Sequence, residues 1–129
     1  MALAYSTTVR NAMLDSVTSA IGSSGKLRIY DGARPASGGA ATNLLVELPL
    51  SATSAPASSS GVLTFNAITT TNGALTGTAT WFRVVTSGGT FVIDGNVGTS
   101  GTDLNLSSTA IVSGVPVSVT SFVITEGNP

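Results

Sequence analysis

Residues 77–97, GTATWFRVVTSGGTFVIDGNV, decide the fold. Two apolar runs, Ala79–Val85 and Thr90–Ile93, flank Ser87-Gly88-Gly89. β-branched and aromatic residues on either side of a short glycine turn predict a β-hairpin. The stretch holds the only tryptophan and two of the four phenylalanines, so the chain is organised around it. Trp81 and Arg83 stand two apart on its first strand and share a face; Phe82 and Val84 share the other. Trp and Arg are enriched at interface hot spots, which makes the pair a candidate contact. The alternative, favoured for Trp81, is a core aromatic beside an arginine at a solvated edge.

Outward from the hairpin the β pattern continues. Leu27-Arg28-Ile29-Tyr30 alternates and ends in the turn pair Asp31-Gly32. Leu44–Leu50 predicts a strand whose Pro49 marks an edge or a bulge. Val62–Ile68 predicts another, with Leu63, Phe65 and Ala67 on one face, and Asn72-Gly73 is a turn signal. Gly95, Gly98 and Gly101 predict a loop ending at Asp103. Leu104–Leu106 and Ala110–Val112 are short strand candidates, and Val115–Thr125 is a long final strand with Pro116 at its entry. Two loops of small residues intervene, ARPASGGAATN at 33–43 and SATSAPASSS at 51–60.

Residues 7–21 alone read as helix, since Val9, Ala12, Met13, Val17, Ala20 and Ile21 recur at spacings of three and four. Ser6 or Thr7 supplies an N-cap and Gly22 a left-handed stop. Arg10, Asn11, Asp15, Ser16 and Thr18 take the opposite side. The expected fold is mainly β, an antiparallel β-sandwich or jelly roll with one short N-terminal helix. It forms one domain over 1–129: an arm and helix at 1–25, the sandwich at 26–125 and a tail at 126–129.

Charged residues make up 9% of the chain, against about 25% in an ordinary soluble domain. Ser, Thr, Gly and Ala stand in their place. Short neutral side chains lose little entropy and little solvation when covered. That suits permanent contact with a partner, and it equally suits a secreted β-protein with a bland surface. Arg10, Lys26, Arg28, Arg34 and Arg83 are scattered and the net charge is −1, which argues against nucleic acid as a partner. No cysteine is present for disulfides, and no histidine for general-base or metal chemistry. No apolar run approaches the roughly 20 residues of a membrane span. The opening MALAYSTTVRNAML lacks the pattern of a signal peptide, so the product is expected to stay in the cytoplasm until it is assembled.

Candidate chemistry is thin. Asp31 and Asp94 each precede a glycine, and such carboxylates serve turns far more often than a facing glycosidase pair. Asp94-Gly95-Asn96 and Asp103-Leu104-Asn105 offer oxygens at alternate positions, but their spacing is not that of an EF-hand. Serines lack a histidine to activate them, and no phosphate loop is present. The reading is therefore a non-enzymatic protein without a cofactor. A sugar-binding module or adhesin, with Trp81 or Tyr30 as a stacking platform, is the rival binding reading.

The segments STTVRNAMLDSVTSAIG, LRIYDGARPASGGAATNLLVELPLS, GVLTFNAIT, GTATWFRVVTSGGTFVIDGNVGTSGTDLNL and VSVTSFVITEGNP together span nearly the whole chain. They resemble a family of small virion-associated proteins encoded by tailed bacteriophages and prophages. LRIYDGARPASGG and ATWFR…DGNVGTSGTDLNL carry the likeness most specifically. The resemblance implies a capsid cement (decoration) protein, made in the host cytoplasm and placed on the capsid exterior of the virion. Its implied partner is the major capsid protein, whose neighbouring subunits it would bridge as a homodimer or other homo-oligomer, with no membrane or nucleic acid involved. A tail, collar or head-fibre component is the other structural reading. The expected contacts are the helix (Val9, Met13), the 33–43 loop (Arg34, Pro35), the pair Trp81 and Arg83, and the tail (Glu126, Pro129).

Overall fold

The computed structural model describes residues 4–125. The single helix among the described residues is α1, Thr7–Ile21. The Ser6 hydroxyl accepts the Val9 N–H at its start, and Gly22, at φ 70°, donates its own N–H to the Thr18 carbonyl at its end. Both caps are those the sequence predicts.

The strands are β1 (Lys26–Tyr30), β2 (Leu44–Pro49), β3 (Val62–Thr64), β4 (Thr71–Asn72), β5 (Gly77–Thr78), β6 (Trp81–Val85), β7 (Phe91–Gly98), β8 (Leu104–Leu106), β9 (Ala110–Ile111), β10 (Pro116–Val117) and β11 (Val119–Thr125). Seven of them make one curled sheet, a half-barrel, in the order β2-β1-β6-β7-β8-β11-β3. The molecule is thus mainly β with one N-terminal helix, as expected. Two short ribbons, β4 with β10 and β5 with β9, flank the sheet.

The predicted hairpin is β6–β7 at the centre of the sheet, paired from Trp81↔Asn96 to Val85↔Phe91 with a bulge between Val84 and Val85. Gly89 takes φ 91° in its turn and donates to the Thr86 carbonyl. The second strand is longer than its apolar run suggests. Gly95 lies inside β7, where a Cβ would meet Phe82 Cζ at 2.5 Å. The glycine makes room for the central aromatic; it does not break the strand.

Four other readings change. One pair, β7–β8, is parallel, joined by only the 99–103 link. The Thr102 hydroxyl donates to Leu104 O and Asn105 Oδ1, which folds that link back on itself and permits so short a connection. The strand expected over 62–68 stops at Thr64, because Asn66 turns aside to bond Ser54 O and Thr53 O, and Ala67 is exposed. The final strand divides between Val117 and Val119, with a further irregularity between Val119 and Ser121, so buried Val117 and Phe122 have opposite parity. In α1, Leu14 and Ile21 are buried, whereas Val9, Ala12 and Ala20 are exposed.

The core gathers Leu27, Ile29, Leu48, Phe82, Leu104, Leu106 and Phe122, with α1 against β3 and β7. Phe122 stacks on Phe65 at 4.0 Å and meets the edge of Phe82 at 5.1 Å. Each sheet edge is covered in part by the chain itself. On β2, the Leu45 carbonyl accepts the Ala74 and Leu75 N–H groups, and Pro49 has no N–H to offer. On β3, Val62 exchanges both main-chain bonds with Ser59. No helix among the described residues is long and apolar enough to cross a membrane.

Candidate functional site

The side of the sheet away from the core carries the chain's polar groups. Glu47, Arg28, Arg83 and Asp94 lie directly opposite one another on β2, β1, β6 and β7. This row makes two ion pairs. Arg28 Nε donates to Glu47 at 2.7 Å, with Lys26 Nζ 3.7 Å from the same carboxylate. Arg83 donates to both oxygens of Asp94, at 2.7 and 3.0 Å, in a nearly buried bidentate pair. The hydrogen bonds that Arg28 and Arg83 donate to Glu47 and Asp94 raise the pKa of both guanidinium groups and hold the cations firmly protonated.

A second line of contacts crosses this row. Tyr30 stacks on Trp81 at 4.4 Å and 15°. The Arg83 guanidinium lies 5.2 Å from the Trp81 ring and 5.3 Å from that of Phe91. Tyr30, Trp81, Arg83 and Phe91 therefore form one aromatic column around a cation.

Residues 33–43 strap across this face. At one end the Gly38 N–H donates to Asp94 Oδ2 at 3.1 Å, and Arg83 Nη2 donates to Gly39 O at 2.8 Å. At the other end Trp81 Nε1 donates to Asp31 O and Thr42 Oγ1, both at 3.0 Å, and the Thr42 hydroxyl donates to Asp31 O. The Asp31 carboxylate accepts the Asn43 main-chain N–H at 3.1 Å and its side-chain amide at 3.3 Å. The side chains of Ala33, Ala36, Ala40 and Ala41 stay exposed, so polar contacts fasten the strap.

These contacts revise several expectations. Trp81 is the buried aromatic that the favoured reading expects, but on the strapped face and outside the main core cluster, and Arg83 is buried rather than at a solvated edge. Neither offers a direct contact while the strap is closed. Trp81 and Tyr30 stack on each other, so neither is an open platform for a sugar. Asp94 is not a turn residue; it sits inside β7, engaged by Arg83 and Gly38. Asp31 does sit at a chain reversal and closes the base of the strap. Asn105, once a candidate oxygen ligand, is held by Thr102 and Ser121. Among the described residues, no cluster of three or more His, Cys, Asp or Glu side chains forms a metal site. Val9 and Arg34 are exposed, Met13 and Pro35 half-buried, and Glu126 and Pro129 lie outside the described residues.

The helix side expected to face solvent holds the second small-residue loop instead. Ser58 N–H donates to Asp15 Oδ1 at 2.8 Å, Ser58 Oγ to Asn11 O at 2.9 Å, and Gly61 N–H to Asn11 Oδ1 at 2.9 Å. The Ser58 N–H holds the Asp15 carboxyl below the usual carboxylate value.

Hairpin counting reveals the Arg83–Asp94 pair. Stepping outward from Gly88-Gly89 as a two-residue turn would bring Arg83 opposite Asp94, the register that the bulge between Val84 and Val85 restores. No such local count links Gly38 or Gly39 to them, because only main-chain atoms take part. No protein-family model, curated protein or solved structure matches the chain.

Proposed function

We propose that this protein is a non-enzymatic structural component of a bacteriophage virion, a cement (decoration) protein that binds outside the major capsid shell and bridges its neighbours. One observation carries the reading: most of the described charge is spent within the chain, with Arg34 and Asp103 left exposed. Among the described residues, Lys26 and Arg28 engage Glu47, Arg83 engages Asp94, Asp15 holds Ser58 and Asp31 holds Asn43. What remains outside is chiefly Ser, Thr, Gly and Ala, on loops already tied to the fold. Such a surface is ordered before it meets a partner and gives up little solvation when covered. Modest contacts repeated over a symmetric lattice then sum to firm attachment. The resemblance to small virion proteins points the same way. The proposed contacts are Val9 and Met13 on α1, Arg34 and Pro35 on the strap, and the tail with Glu126 and Pro129, in a homodimer or other homo-oligomer.

The test adds purified protein to capsids that lack it. Binding at every equivalent lattice site, with higher heat tolerance of the shell, is the expected result. Capsids that neither bind the protein nor gain tolerance would overturn the proposal, and a few copies per particle would move it to the tail or collar.

A further inference from the structure

We propose that residues 33–43 form a latched strap, opening and closing as one unit over the Tyr30–Trp81 face while the sheet stays folded. This does not rest on a virion role. No apolar side chain of the strap is fully buried: its alanines are exposed and Pro35 is half-buried. Its fastenings are hydrogen bonds in two groups: Gly38 and Gly39 on the Arg83–Asp94 pair, and Thr42 and Asn43 on Trp81 and Asp31. Segments with few buried apolar contacts lie at the low-stability end of a fold and open without it. Gly32, at φ 72°, begins the strap and supplies a hinge that tolerates large backbone rotation.

What the strap covers differs sharply from the strap itself. Beneath it lie Trp81, Tyr30 and the Arg83 guanidinium, on β strands fixed by pairing on both sides. Opening presents two stacked rings and a cation, the side chains that dominate protein contacts. The latch reads only main-chain atoms at Gly38 and Gly39, whereas at the other end the Thr42 hydroxyl and the Asn43 amide must let go.

Amide hydrogen exchange on the full chain tests this, with Trp81 as the only tryptophan for quenching by acrylamide. In the wild type, Gly38 and Asn43 should exchange at matching opening rates, insensitive to denaturant, well before Val84 of β6. Thr42→Val removes a fastening at one end; it should speed exchange at Gly38, the other end, about three- to tenfold. Asp94→Asn should do the converse, speeding exchange at Asn43. Both should raise quenching of Trp81, and Thr42→Val should leave Val84 protected. Effects confined to each variant's own end would overturn the proposal. So would exchange of Gly38 only together with Val84, or quenching that stays constant while the strap amides accelerate. If Asp94→Asn fails to fold, the wild-type rates and Thr42→Val decide alone.

Discussion

Gly95 shows how one absent side chain sets the centre of the sheet. A Cβ there would sit 2.5 Å from Phe82 Cε1 and Cζ. Gly95→Ala is therefore expected to cost about 1–3 kcal/mol, as overpacking of a core does. Urea unfolding measures it, and Phe82→Leu in the same chain should recover part of the loss by vacating that space. The sequence reading took Asp94-Gly95 for a turn, because that dipeptide carries the same local signal in a turn and in a strand. What separates the two is tertiary: Phe82 fills the space over Gly95, and Arg83 claims Asp94. By contrast Gly89 was legible, since its turn follows from the chain on either side of it.

At the scale of elements, α1 was legible at both ends and misread around its circumference. Caps are local chemistry, whereas a docking face depends on what arrives from elsewhere. Asn11 and Asp15 look like solvent residues until the loop at 58–61 folds onto them. The attachment titrates. Asp15 has its pKa lowered from 3.8 by the Ser58 N–H, so its contribution is present above that value. It is lost as pH falls through the lower folded value. Acid below the ordinary carboxylate range should therefore weaken the Ser58 N–H contact, while the two bonds to Asn11 persist. Asp15→Asn should remove that acid dependence, read as amide exchange at Ser58 against pH; an unchanged profile would show that another group governs the contact. The strap was legible only as a small-residue loop, because its anchors, Gly38 N–H and Gly39 O, have no side-chain signature.

For the whole molecule, the β class with one leading helix could be read from alternation and turn chemistry. The strand order and the parallel β7–β8 step could not, since pairing partners far apart in sequence leave no periodic mark. The same holds for the edges. β2 ends its sheet with Leu45 bonded to the 74–75 segment and with Pro49 offering no N–H; β3 is closed by Ser59. Pro49→Val restores a donor on an exposed edge position and should increase self-association, read by light scattering at matched concentration, while the monomer melts as before. Scattering equal to wild type would show that the 74–75 cover suffices without the proline. Crowded copies therefore find these particular main-chain groups already taken or missing, and contact at them falls to side chains.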